Sequence, residues 1–260
     1  MEYDNHFSFG KNWKSYNKKN NDILKGKAEK DLEYFLGDIS GKTFIDIGSG
    51  SGVHSLAALN LGAYSLLATD FDKDSVEATI NLLDNNFDNN QKYKVLEDDI
   101  LNTKIEEKFD IVYSWGVLHH TGNMWKAIDN STELVLDNGL YYISIYVKNR
   151  FCGVWAKIKK TYTYGGFLTK MLMSIIWYPL HFTRKILNGS IFTDQGRGML
   201  WFYDSRDWLG GYPYESATKD EILNYLDIKG FKILKTRNTK PSFGIFGSGC
   251  ADYLFQKQEN

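Results

Sequence analysis

The stretch TFIDIGSGSGVHSLAALNLGA, Thr43–Ala63, constrains the fold of this chain more than any other. It opens as an apolar strand, places Gly48, Gly50 and Gly52 at alternate positions, and continues with helical spacing. A strand that enters a helix through a bare turn is the first half of a parallel β-α-β unit. Three missing side chains mean that something lies close to the main chain there: a phosphate, a nucleoside, or only a tightly packed helix.

The rest of the chain extends that unit. DLEYFLGDIS (Asp31–Ser40) puts Leu32, Phe35, Leu36 and Ile39 on one helical face and is stopped by Gly41. After the strand TFIDI, a helix runs from about Val53 to Leu61. SLLATD is a second strand, and KDSVEATINLLDNN is its helix, with Val76, Ile80 and Leu83 facing inward. YKVLED, FDIVYSWG and LYYISIYV are three more strands. NMWKAIDNSTELVLDNG supplies a helix before the last of them, with Asn138–Gly139 as its stop. TKDEILNYLDIKG opens with Thr218 and Glu221 in capping-box spacing. FKILKTR and ADYLFQK are joined by a loop, so they pair antiparallel. Strands alternating with helices predict a doubly wound, mostly parallel, seven-stranded α/β sheet with an antiparallel C-terminal hairpin.

Alternation lapses between Asn149 and Tyr214, an aromatic-rich insertion after strand five that reads as a helical and aromatic cap. Its most apolar run, Phe167–Leu187, is interrupted by Lys170, Pro179, His181 and Arg184–Lys185, which makes it too short to cross a bilayer. A buried or lid helix is the first reading and a helix lying on a membrane surface the second. The expected divisions are a leader over 1–30, a sheet domain over 31–148 and 216–260, and the cap over 149–215.

Composition narrows the partners. The 31 Lys and Arg nearly balance the 32 Asp and Glu, so no basic excess favours nucleic acid. Cys152 and Cys250 are far apart and lack metal-type spacing, as expected of a reduced, cytoplasmic protein. The first residues have no continuous apolar core, so no secretory signal is expected.

Ligands of an open parallel sheet bind at the carboxyl ends of its strands, where strand order reverses. The dinucleotide fingerprint needs a third glycine where Val53 stands, and no Gly-Lys-Ser/Thr follows to make a Walker loop. Asp46, inside the first strand, would repel a pyrophosphate and attract an ammonium. Asp70 ends the second strand, placed to take both hydroxyls of a ribose, with Phe71 beside it for a purine face. Asp99 follows the third strand, within reach of an exocyclic amine. Singly, each aspartate reads equally as a cap or turn residue. Together they favour a nucleoside with a cationic tail.

These segments resemble the class I S-adenosylmethionine-dependent methyltransferases. FIDIGSGSG is similar to that family's first motif, ATDFD to the second, LEDDI to the third and FDIVYSWGVLHHTGNMWKAI to the fourth. LVLDNGLYYISIY resembles the segment that leads into strand five. The resemblance implies a Rossmann-like methyltransferase fold with S-adenosylmethionine as cofactor. It implies that Gly48, Ser49 and Gly50 face the methionine part and that Asp46 helps hold its amino group. Asp70 would take the ribose, Phe71 the adenine face, and Asp99 with the Ile100 backbone the adenine edge. Trp115 would line the methionine side, and Phe9 and Trp13 would fold over the cofactor as an N-terminal lid.

Methyl transfer to oxygen requires a base, and His119 and His120, just after the fourth strand, are the candidates, with His120 preferred. Either could instead fill the loop. The cap offers Arg197, Tyr203, Arg206, Trp208, Tyr212 and Glu215 for a sugar or nucleotide acceptor, or simply for packing on the core.

FSFGKNW and DWLGGYPYE resemble segments of bacterial ubiquinone-type and surface-polysaccharide methyltransferases. That implies O-methylation of a small polar, nucleotide-linked or phosphorylated precursor of capsule or surface polysaccharide, a sugar or a phosphoramidate. The alternatives are an apolar quinone or lipid precursor at a membrane surface, a tRNA, or a non-catalytic cofactor-binding protein. A small-molecule partner, no nucleic acid, no stable membrane insertion, and a monomer or homodimer are expected.

Overall fold

The computed structural model describes residues 21–87, 92–187 and 208–259. The expected lid residues Phe9 and Trp13, and the expected acceptor residues Arg197, Tyr203 and Arg206, lie outside these.

The chain runs through α1 (Asn21–Leu36), β1 (Thr43–Ile47), α2 (Val53–Asn60), β2 (Ser65–Asp70) and α3 (Lys73–Asp84). It continues with β3 (Tyr93–Glu97), β4 (Phe109–Trp115), α4 (Met124–Glu133) and β5 (Val135–Tyr146). Two helices, α5 (Cys152–Tyr164) and α6 (Phe167–Leu187), then leave the sheet. They are followed by α7 (Lys219–Ile228), β6 (Phe231–Arg237) and β7 (Cys250–Lys257).

All seven strands join one sheet in the order β3-β2-β1-β4-β5-β7-β6. The first five pair in parallel, and β7 runs antiparallel between β5 and β6. Side chains explain why β7, not β6, sits inside. Ala251, Tyr253, Leu254 and Phe255 are buried on both of its faces, whereas β6 exposes Lys232 and Leu234 and suits an edge.

The chain winds outward from β1 to β3 and returns on the other side of β1 as β4. The carboxyl ends of β1 and β4 therefore flank the switch point. Helices cover both faces, so β1 is apolar on each. Phe44 packs with Leu56 and Leu66 on one side, and Ile45 with Val112 and Ile143 on the other. Truncating the fully buried Ile45 to Ala would cost about 2–5 kcal/mol. Arg237 fastens α1 to the far edge of the sheet through Asp31 (3.0 Å) and Asp252 (2.8 Å).

Three local expectations are corrected. The first helix ends at Leu36, because Gly37 turns left-handed (φ 71°); Ile39 is buried from the loop beyond it. Asn138–Gly139 does not stop α4, which ends at Glu133. The pair lies inside β5, where Asn138 has φ 63° and the β4–β5 register shifts between Phe109 and Ile111. In α3 the buried face is Ser75, Ala78, Thr79, Leu82 and Leu83, while Val76 is half-buried and Ile80 exposed. The small residues face inward because the glycine turn presses against them, as described below.

The inserted helices gather around Tyr146, Trp155, Tyr162, Trp177, Leu209 and Tyr214. Trp177 lies on Trp208 with ring centroids 4.6 Å apart, and both meet Trp155 edge-on. Among the described residues, no helix is long and apolar enough to cross a membrane.

Candidate active site

The bare turn after β1 is shaped largely by the chain itself. Gly48 has φ 79°, and a Cβ there would come within 2.3 Å of Val117, in the loop after β4. Gly52, also at φ 79°, would meet the Cα of Thr79 on α3 at 2.9 Å. Packing therefore excludes a side chain at both ends of the turn. In the middle, Gly50 (φ 56°) donates its amide to Asp70 Oδ2 at 2.9 Å. The amides of Gly48 and Ser49 both donate to the Thr69 carbonyl, at 2.7 and 2.9 Å. Ser49 turns its hydroxyl to Thr79 Oγ1 (3.0 Å), so what it offers the crevice is main chain.

Beneath this turn sits an electrostatic anomaly. Burial pushes the Asp46 carboxyl up to about 7; Ser55 Oγ, donating at 2.6 Å, pulls it down, and the Asp70 charge raises it further. Burial likewise pushes Asp70 up to about 6, against the pull of the Asp72 and Gly50 amides. Among the described residues no cation acts on either acid; the charged groups that do are other carboxylates. Backbone amides already reach Asp70, that of Asp72 on Oδ1 and that of Gly50 on Oδ2, with the Phe71 amide also drawing its pKa down. A positively charged ligand would reward the ionised form that burial now penalises.

Around these acids the other expected residues fall as follows. Phe71, at the tip of β2, is 43% exposed and presents a ring at the crevice. Asp99 caps its own turn, accepting from the Leu101 amide (2.9 Å) and Asn102 Nδ2 (2.7 Å). Ile100 is buried in the core, and its carbonyl takes Asn130 Nδ2 at 2.7 Å. Trp115 ends β4 half-buried, 5.8 Å from the His54 ring. His54 escaped the sequence reading. It opens α2 between Tyr113 and Trp115, and burial lowers its pKa to about 4, so it is neutral.

The two histidines separate sharply. His119 is fully buried, its ring 3.9 Å from that of Tyr146. His120 is half-buried, and its Nδ1 lies 2.7 Å from the Pro213 carbonyl. A carbonyl can only accept, so Nδ1 carries the proton and the neutral ring has its basic lone pair on Nε2. Glu215 braces the same loop. Its amide donates to the His119 carbonyl (2.9 Å), and its Oε2 accepts from the Met124 amide at the start of α4 (3.0 Å). Desolvation raises the Glu215 pKa. Pro213 and Tyr146 were not foreseen, since nothing in their local sequence marks them.

Trp208 belongs to the cap interior. Besides its two tryptophan neighbours, it has the Lys159 ammonium 4.0 Å above its ring, and the bare Gly247 pressed against it. Tyr212 meets Tyr164 edge-on at 5.7 Å. On the same carboxyl side, beyond β5, a cleft of about 530 Å³ is lined by Lys148, Asn149, Arg150, Pro241, Ser242 and Phe243. The Arg150 guanidinium lies 5.2 Å from the Phe243 ring centroid.

Acids gathered where the sheet reverses, with no cation among the described residues to answer them, suit a cationic nucleoside. On this sheet topology, that places the chain among the class I S-adenosylmethionine-dependent methyltransferases. Comparison with known proteins goes one step further. Residues 32–185 match the profile of the ribosomal protein L11 methyltransferase (PrmA), so the chain belongs to that family.

The ribosomal protein L11 methyltransferase of Fusobacterium nucleatum is 31% identical over 149 residues, 57% of this chain and 46% of that one. The Macrococcus caseolyticus protein of the same name is 33% identical over 112 residues, 42% and 34% of the two chains. The chain thus spans less than half the length of these relatives. Among solved structures, magnesium protoporphyrin IX methyltransferase from Synechocystis PCC 6803 with bound SAH has a TM-score of 0.56 at 15% identity. The alignment covers 91% of this chain and 84% of the other. The N-methyltransferase NodS from Bradyrhizobium japonicum has a TM-score of 0.54 at 12% identity, covering 92% and 99%. These likenesses are of fold. Both FSFGKNW and DWLGGYPYE lie outside the matched residues, and the relatives carry a different acceptor in their name from a polysaccharide precursor.

Proposed function

We propose that this chain methylates an oxygen of a small, polar, anionic acceptor, with His120 as general base. The Nδ1–Pro213 contact carries the reading, because it aims the imidazole and fixes which nitrogen is basic. Bound over the glycine turn, S-adenosylmethionine supplies an electrophilic methyl group on a sulfonium. Asp46 and Asp70 would hold its cationic and ribose parts. His120 Nε2 would accept the acceptor's hydroxyl proton, and the Pro213 carbonyl would stabilise the resulting imidazolium. His119, sealed against Tyr146, would position its neighbour.

For the acceptor, the cleft beyond β5 supports the polar reading. Its volume suits a nucleotide-sized molecule, Arg150 lines it for a phosphate while Lys148 is held by Glu221 at 2.8 Å, and Phe243 offers a ring for a base. A nucleotide-linked sugar is the expected type. The family match favours a second reading, a protein side chain, after the relatives' names.

Both readings are tested by incubating the purified chain with methyl-labelled cofactor and either a panel of nucleotide-sugars or ribosomal protein L11. Label in a nucleotide-sugar, abolished in His120→Ala, supports the first reading. Label in the protein, or full activity in His120→Ala, overturns it.

A further inference from the structure

We infer that the outer face of α6 docks on an anionic lipid surface. At about 1.5 Å per residue, the 21 residues of α6 make a rod about 31 Å long. Its inner edge is Met173, Trp177 and His181, four residues apart. Trp177 and His181 are buried, and Trp177 stacks on both Trp208 and His181. Away from that edge the helix is apolar and, among the described residues, uncovered. Phe167 is 80% exposed, Ile176 65% and Ile175 61%, and Leu168, Leu172 and Leu180 are each more than half exposed. The expectation of a buried or lid helix therefore holds for one edge only. A continuous apolar face of this extent marks a surface that meets a partner.

Charge says which partner. Residues 148–187 contain eight of the chain's 31 Lys and Arg and none of its 32 Asp and Glu, although about five acids would fall there at the average frequency. Elsewhere 23 cations face 32 acids, so the excess of positive charge belongs to this stretch, where Lys148 is seen paired, by Glu221 at 2.8 Å. Lys157, Lys160 and Lys170 are exposed, and Arg184 and Lys185 stand in the last turn of α6. Lys159 is spent inside, on the Trp208 carbonyl.

A second copy of this face would bring cations against cations with no acid to pair them. A nucleic acid would meet the lysines and leave Ile175 and Ile176 in water. An anionic bilayer uses both features, taking the apolar face into the headgroup boundary and the lysines into the surface potential. Docking of this kind needs no membrane crossing and does not depend on the proposed reaction.

Flotation of the full chain with phosphatidylcholine–phosphatidylglycerol vesicles, against pure phosphatidylcholine, tests the inference. Binding to the anionic vesicles alone is expected, weakening as salt rises. Ile175→Glu with Ile176→Glu should weaken it more than tenfold, and each of Lys157→Gln, Lys160→Gln and Lys170→Gln by about fivefold. Failure to float with anionic vesicles overturns the inference, as does binding that the paired Glu variant leaves intact. Light scattering that shows a dimer dissolved by the same variant assigns the face to a second copy instead. A melting temperature lowered by several degrees in that variant shows the face covered by the chain itself. The Lys157 and Lys170 variants, at exposed positions, then still report on binding.

Discussion

The two halves of the carboxyl face are electrostatic opposites. On the β1–β2 side, Asp46 is buried and Asp70 half-buried, and among the described residues no cation acts on either. On the β5 side, the insertion and the cleft beside it are rich in Lys and Arg and free of acid from residue 138 to residue 193. Glu221 answers Lys148 at 2.8 Å, and what charge is left in each half suits something that arrives. The acid half suits a cation gripped in a dry turn, and the basic half suits anions met at an open surface. His120, on the loop after β4, lies between them in the strand order, where the proposed base would join the two.

The sharpest way to break this division is at that join. His120→Ala should lower kcat by about 10²–10⁴-fold and leave cofactor affinity within a factor of two, measured by product release and calorimetry. Loss of cofactor binding instead would place the ring in the acid half.

Next in size, Asp70→Ala should weaken cofactor binding by about 10–100-fold, the worth of a charge-assisted pair of hydrogen bonds, and leave the acceptor KM unchanged. Gly48→Ala should destabilise the whole fold by about 1–3 kcal/mol, because the new methyl meets Val117 and the backbone is left-handed. Denaturant melts would read it.

A smaller effect follows from pH. The folded pKa values of about 7 for Asp46 and about 6 for Asp70 lie above the unfolded value of 3.8. Protonation therefore favours the empty fold: that contribution is complete below about pH 4 and is lost as pH rises through 6 to 7. His54, lowered to about 4, contributes the opposite slope, so melting temperature mixes the two. Cofactor affinity separates them, because a cation binds the ionised acids. It should strengthen about tenfold from pH 6 to pH 8, and in Asp46→Asn that rise should largely disappear. Smallest of all, Arg150→Gln should raise the acceptor KM about fivefold without touching cofactor affinity. An equal effect on both would merge the halves.

Legibility in sequence follows the same division. The glycine turn, Asp70 and Phe71 are read correctly in place because each is fixed by a strand end a few residues away. What the turn is bare for was not legible, since Val117 and Thr79 approach it from 69 and 27 residues further on. His120 was found as a type of residue, but its tautomer is set by a carbonyl 93 positions away. Asn138–Gly139 carries the local chemistry of a helix stop, and a strand overrode it because Val135 already pairs with Phe109. Trp208 was left open between a ligand contact and packing on the core, because the Trp155–Trp177 pair it packs against lies 53 and 31 residues upstream.

The position of β7 carries a consequence for how the molecule is made. As the chain leaves the ribosome, β1 to β5 can assemble in order, each new strand finding its neighbour already present. Yet β5 and β6 then have nothing between them until residues 250–257 emerge. Until that moment a nascent chain shows two open sheet edges, and a message cut short of those eight residues leaves a product primed to stick to its like.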